Sequence, residues 1–199
     1  MRLLVVEDEP RIAAGVVAAL TDDGHAVRHA PDGEAALAAD MAVGRRISFP
    51  PFDDVTKPKV TATLNEFVAI DNPLDYHTFI WNQEDKLTNT FTAVLSGGFD
   101  VGMLILDTPT QDHMNPAAWH KTARAFQVAA AANNARAAVV ATLPECLPLD
   151  MADELATGGI APMFGLDDAL TAFEAAAKIG ENWSSTLPSI PVEMPQVSV

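Results

Sequence analysis

Phe99-Asp100-Val101-Gly102-Met103-Leu104-Ile105-Leu106-Asp107, followed by Thr108-Pro109, is the stretch that decides the fold. A nearly unbroken apolar run closed by an acid reads as a strand covered on both faces, the pattern of a central strand in an open, parallel α/β sheet. Asp107 then stands at the strand's carboxyl end, beyond which such sheets bind their ligands. A buried strand also needs a polar residue simply to re-enter water, so Asp107 has a structural reading beside the chemical one.

Working outward from this strand, Leu87 to Leu95 has helical spacing and stops at Ser96-Gly97-Gly98, whose glycines supply left-handed backbone. On the other side, Asn115-Pro116 reads as a cap with proline at the first helical position, and Trp119, Ala123, Phe126 and Ala130 share one face of the helix. The amino end of that helix, aimed from a strand terminus, is the place an anion would be met. Ala138 to Leu143 is a further buried strand with Pro144-Glu145 at its carboxyl end, and Leu149 to Leu155 a helix stopped by Gly158-Gly159. Ile160 to Phe164 is a short last strand, and Asp167 is expected to cap a final helix in which Leu170, Phe173 and Ala177 face the sheet and Gly180 ends it. Residues 182–199, with Pro188, Pro191 and Pro195, read as a Pro/Ser-rich tail.

The start of the chain has the same grammar. Leu3 to Val6 is a strand, and Glu7-Asp8-Glu9 makes either a divalent-cation pocket or a solvated turn. Pro10 opens a helix with Ile12, Val16, Val17 and Leu20 on one face, ended by Gly24. His25 to Ala30 is a half-polar edge strand, Pro31-Asp32-Gly33 a turn, and Glu34 to Ala39 the start of a second helix. Asn72-Pro73-Leu74-Asp75 is another turn, with Tyr76, His77 and Trp81 after it as candidates for a pocket wall or a dimer contact.

Composition narrows the function classes. A net charge of -15, with 12 Lys and Arg in 199 residues, excludes a nucleic-acid surface, which needs clustered cations. The single Cys146 suits a reducing compartment and reads as a small core residue. No apolar run approaches a bilayer span and the first residues meet acids at once, so no membrane segment or signal peptide is expected and the location expected is cytoplasmic. His25, His29, His77, His113 and His120 show no zinc-motif spacing, and no nucleophile elbow is present.

LLVVEDEPRIAAGVVAAL followed by GHAVRHAPDGEAALAA, in residues 1–39, resembles the opening of a bacterial response-regulator receiver domain. That resemblance implies that Glu7 and Asp8 hold Mg²⁺ beside a phosphoacceptor aspartate, a role suited to hard oxygen ligands. By local pattern the acceptor is Asp107, with Thr142 as the hydroxyl residue of the next strand. Asp53 and Asp54 lie nearer the place given by residue count, but in a stretch broken by Pro50 and Pro51, and no lysine occurs in Ile160 to Gly165.

From residue 33 to 181 a second resemblance takes over. GEAALAADMAVGRRISFPPFD, FVAIDNPLDY, SGGFDVGMLILDTP, ARAAVVATLPE and GGIAPMFGLDDALTAFEAAAKIG are similar to the last flavodoxin-like subdomain of NDP-forming acyl-CoA synthetases, related to the carboxy-terminal domain of the succinyl-CoA synthetase β subunit. It implies a flavodoxin-like, three-layer α/β sandwich with an open parallel sheet of five or six strands, spanning residues 1–181 as one domain: a receiver-like segment 1–39 and an acyl-CoA-synthetase-like segment 40–181. It also places Asn72 and Asp75 at the carboxyl rim, where Thr108, Asn115 and Thr142 complete the phosphate- or ligand-rim candidates.

The chain thus reads as a chimaera, natural or engineered, of two related folds. The leading expectation is an isolated domain of the acid–CoA ligase kind without the CoA-binding domain, phosphohistidine loop or ATP-grasp domain, inactive alone. The alternatives are a phosphoacceptor receiver module of a two-component phosphorelay, and a chimaeric scaffold without activity. Mg²⁺, held by Glu7, Asp8 and Asp107, is the one cofactor implied. The implied partners are other domains of a CoA ligase, a histidine kinase, or a second copy of the chain.

Overall fold

In the computed structural model of the chain, residues 2–6, 10–30, 33–109 and 115–184 are described. The elements follow as β1 (Arg2–Val6), α1 (Pro10–Asp22), β2 (Ala26–Ala30), α2 (Gly33–Met41), α3 (Thr56–Thr61), α4 (His77–Ile80), α5 (Glu84–Leu95), β3 (Gly102–Ile105), α6 (Ala117–Asn133), β4 (Ala137–Ala141), α7 (Leu149–Thr157), β5 (Ala161–Phe164) and α8 (Leu166–Ser184), with a 3-10 turn at Pro144–Cys146. The class is α/β: β3, β4 and β5 form an open parallel sheet in that order, flanked by helices.

Strand alternation divides the core into two layers. On one face Leu104, Leu106, Val139 and Ala141 meet Leu87 and Phe91 of α5, Phe126 of α6 and Met151 and Leu155 of α7. On the other face Met103, Ile105, Ala138 and Val140 meet Ala38 of α2 and Leu166, Ala169 and Leu170 of α8. All five residues of β4 are buried, and its Ala-Ala-Val-Val-Ala sequence keeps both helix layers close. Full burial of one Leu such as Leu87 or Leu170 contributes about 1.5–3 kcal/mol, so these two layers carry most of the fold's stability.

The helix ends follow the sequence signals. Gly98 after α5 has φ +69 and Asn134 after α6 has φ 49, the left-handed stops that release the chain into β3 and β4. Asn133 Nδ2 then donates to Thr92 O at 3.1 Å, tying the end of α6 to α5. Gly24 and Gly159, also at positive φ, end α1 and α7 as expected.

Several expectations need correction. Among the described residues, the strand at Gly102–Ile105 is an edge of its sheet, and β4 is the central strand. An apolar run reports coverage by helices above and below, and carries no record of how many strands lie alongside. The five strands among the described residues do not form one sheet: β1 and β2 pair in parallel with each other, Arg2 opposite Ala26 through Val6 opposite Ala30, as a separate two-stranded sheet. Residues 47–53 form no strand, in keeping with the missing donors of Pro50 and Pro51.

At the last helix, Asp167 is not the cap. The helix begins at Leu166 after Gly165, whose φ of +119 makes the turn, and Asp167 lies in the first turn paired with Arg45. Gly180 does not end α8, which runs on to Ser184, past the expected start of the tail at 182. Glycine inside a helix costs about 1 kcal/mol relative to alanine. The Arg46–Glu181 ion pair at 2.7 Å just beyond it favours continuation. Ala177 is exposed rather than facing the sheet. The remainder of the expected tail, and the Pro31-Asp32 part of the first turn, lie outside the described residues.

Candidate functional site

The site is built at the carboxyl ends of β3 and β4. Leu106 is buried and its N–H donates to Val140 O at 2.9 Å, so the ladder is still in register where the chain reaches Asp107. β4 likewise ends at Ala141 and delivers Thr142 to the same rim. The two residues meet: the Thr142 N–H donates to Asp107 Oδ1 at 2.7 Å and the Thr142 hydroxyl donates to Oδ2 at 2.5 Å. Both carboxylate oxygens are thereby held by one neighbour through charge-assisted hydrogen bonds.

Thr108 turns the other way, as alternation requires. It is 2% exposed, its N–H donates to Cys146 O at 2.8 Å, and its hydroxyl lies 3.7 Å from Met151 Sδ. It anchors the 3-10 turn beneath the rim and presents no group to a ligand. Burial pushes the Cys146 thiol above its ordinary pKa, and the negative charges of Asp107 and Glu145 push it further in the same direction. A thiol so placed is held protonated and is a poor nucleophile.

Asn115 stands exposed before α6, where its Oδ1 accepts the N–H of Ala117 at 2.9 Å and so occupies one of the helix's first donors. Asn72 precedes a cis peptide bond to Pro73 and its Nδ2 donates to Pro50 O at 2.8 Å. Asn72 and Asp75, far from Asp107 in sequence, line the same cavity as Asp107 and Thr142, with a volume of about 780 Å³. Four of the rim residues singled out from sequence line one cavity, which extends along β3 from Asp100 to Asp107, while Thr108 points into the core and Asn115 accepts an amide at the start of α6, whose cap residue is Pro116.

Glu7 and Asp8 lie outside the described residues, as do Thr110 to Met114 with His113. Among the described residues no three His, Cys, Asp or Glu side chains are grouped to hold a metal ion. His120 Nδ1 lies 3.3 Å from Glu154 Oε2, a contact between α6 and α7. Tyr76 lines the cavity, whereas Trp81 packs edge-on against Trp119 with ring centroids 5.2 Å apart. Asp53 serves α3: its Oδ1 accepts from the N–H groups of Val55 and Thr56 at 3.1 and 2.6 Å. Among the described residues no helix is long and apolar enough to cross a membrane.

Two features went unread in the sequence. Phe49 and Phe52, inside the proline-broken stretch, form part of the cavity wall. Arg45 and Arg46 clamp the segment after α2 onto α8, Arg45 through Asp167 and the Thr171 hydroxyl at 2.9 Å, and Arg46 through its own N–H to Glu174 Oε1 at 2.5 Å and its guanidinium to Glu181. The signal was present: Asp167, Glu174 and Glu181 recur two helical turns apart and so share one face, opposite a paired arginine. Compared with known proteins, the sequence matches no protein-family model and no curated protein.

Proposed function

We propose that this is a flavodoxin-like domain of the acid–CoA ligase kind, a three-layer unit that performs no chemistry of its own and presents a fixed polar rim to groups supplied by partner domains. The observation that carries this reading is the capture of both Asp107 oxygens by Thr142 beside the cavity also lined by Asn72 and Asp75. An aspartate so held is a strut between strand ends, and the neighbouring groups are equally committed: Asn115 to the start of α6 and the Cys146 thiol to its protonated form.

Support also comes from where the resembling segments fall. FVAIDNPLDY supplies part of the cavity wall, SGGFDVGMLILDTP runs from the end of α5 through β3 to the rim, ARAAVVATLPE is β4 and its rim turn, and the last segment is β5 with α8. Titration of the protein with CoA and with ADP in a calorimeter tests the ligase kinship. Heat with either supports it, and no heat with both turns the choice to the scaffold reading.

The same hydrogen bond also fits a second reading, the phosphoacceptor receiver, in which Thr142 is the hydroxyl residue at the end of the next strand. In that reading Glu7 and Asp8 join Asp107 around Mg²⁺, which would offset charge on the incoming phosphoryl group. Incubation with acetyl phosphate and Mg²⁺ followed by intact mass separates the two, since only the receiver gains a phosphoryl group.

A further inference from the structure

α3 and α5 leave a groove of about 620 Å³ between them, with Lys59 and Thr63 on one side and Lys86, Asn89, Thr92 and Ser96 on the other. The two segments pack antiparallel. Lys59 Nζ donates to Ser96 Oγ at 3.5 Å where α5 ends, and the Thr90 hydroxyl donates to Thr63 Oγ1 at 3.0 Å nearer its middle. Lys86, Asn89 and Ser96 lie on one face of α5 and its cap, which from Lys86 to Ser96 is about 15 Å long at 1.5 Å per residue.

Charge sets this groove apart. In a chain with 27 acidic and 12 basic residues, its walls hold two lysines and no carboxylate. Neither ammonium makes an ion pair among the described residues. Asp53, whose carboxyl feels the charge of Lys59, accepts the N–H groups of Val55 and Thr56, and Glu84 pairs with Arg124. Asp54, Glu66 and Asp85 do not line the groove. The carbonyl end of α5 favours an ammonium beside Ser96, which holds Lys59 at that end of the groove.

We propose that the α3–α5 groove binds a small, extended oligophosphate, whose separated charges meet Lys59 at one end and Lys86 at the other, with the Asn89 amide and the Thr92 hydroxyl donating between them. The class of ligand follows from what the walls hold and what they lack. Ammonium groups bind phosphate as point charges, and two of them along a groove suit separated charges on one flexible anion. No aromatic ring lines the groove for a nucleobase to stack on, and two lysines are too few for a nucleic-acid backbone. Ala62 and Ala93 are its only apolar side chains, so the large anchor pocket that a docked protein segment needs is missing. Salt screens the repulsion from the rest of a chain of net charge -15 beyond about 8 Å at physiological ionic strength, which leaves the near lysines decisive. The groove shares no residue with the cavity at Asp107, so this site is separate from the rim and its reading.

Titration of the isotope-labelled full chain with sodium tripolyphosphate, followed through its amide NMR signals, tests this. The expected result is saturable shifts confined to residues 59–63 and 86–96, with an affinity about tenfold or more above that of orthophosphate, which cannot engage both lysines at once. Lys59→Gln and Lys86→Gln should each weaken binding by about fivefold, the effect of losing one exposed ion pair. Lys178→Gln, on α8, should leave it unchanged, and since all three lysines are exposed the variants should keep the parent's melting temperature. Absence of saturable shifts, shifts scattered over the surface, or equal weakening by Lys178→Gln would overturn the proposal. Shifts at Asp107 and Thr142 instead would place the anion at the rim and overturn the groove as its site. Equal affinity for citrate would overturn the phosphate class. A polyglutamate peptide that moves these residues where tripolyphosphate does not would make the groove a docking surface for an acidic protein, and overturn the proposal too.

Discussion

Replacing Thr142 by valine removes one of the two hydrogen bonds that hold Asp107 and leaves the shape of the side chain and the backbone bond intact. Hydrogen bonds to charged groups contribute about 1.5–3 kcal/mol, and the half-exposed setting of this pair places it at the lower end, about 1.5 kcal/mol. For a chain of this size each kcal/mol moves Tm by about 2–4 °C, so Thr142→Val should melt about 3–6 °C lower. Stability alone does not assign the loss to the pair, because any change at a strand end has some effect. A double-mutant cycle with Asp107→Ala isolates it: the two single changes should together exceed the double change by about 1 kcal/mol, as expected for residues in direct contact. Urea unfolding followed by circular dichroism supplies all four values. Additivity within about 0.3 kcal/mol would mean that the two side chains do not act as a unit, and would refute the strut between β3 and β4.

Leu170→Ala, at a fully buried site beneath α8, should cost about 2–5 kcal/mol, whereas Leu149→Ala, at a site 76% exposed, should stay within about 0.5 kcal/mol of the parent in the same urea assay. Hydrogen bonding from Thr56, side chain and then backbone, with the Val55 amide, holds the Asp53 carboxyl below its ordinary pKa of 3.8. A depressed folded pKa means that Asp53 contributes stability that is fully present above the unfolded value and is lost as pH falls through the folded one. A carboxyl-carbon NMR titration should therefore find its midpoint below that of an unstructured aspartate, and Asp53→Asn should weaken the acid dependence of unfolding. Cys146 should alkylate with iodoacetamide at pH 8 more slowly than a free thiol such as glutathione, because burial and the nearby acids disfavour its thiolate. Equal rates would place the thiol in a different environment.

Much of the three-stranded region was legible because its signals are local. Gly98 and Gly159 punctuate the chain where backbone conformation demands it, and the apolar runs of β3, β4 and β5 lie near them; at α6 the expected cap and first helical residue are shifted by one, with Pro116 at the cap and Ala117 opening the helix. The place of Asp107 at the carboxyl end of β3 was legible for the same reason, since the residue that follows a strand is fixed by the strand. Strand order was not legible. Met103 and Ile105 look alike in sequence whether or not a strand lies beside them, and the pairing of β1 with β2 depends on contacts that no local pattern encodes. The same holds for the Asp107–Thr142 pair, whose partners come from strands separated by the whole of α6. At α8 a local signal did not decide the end: Gly180 has the residue type of a stop, yet the helix runs on to Ser184.

Asp107, whose two carboxylate oxygens are both held by Thr142, decides between the ligase-like and receiver readings. The most direct measurement is intact mass after incubation with acetyl phosphate and Mg²⁺. With Asp107 held by Thr142 as a strut, the mass should be unchanged. A single phosphoryl group that appears in the parent and disappears in Asp107→Asn would contradict this and make Asp107 a phosphoacceptor.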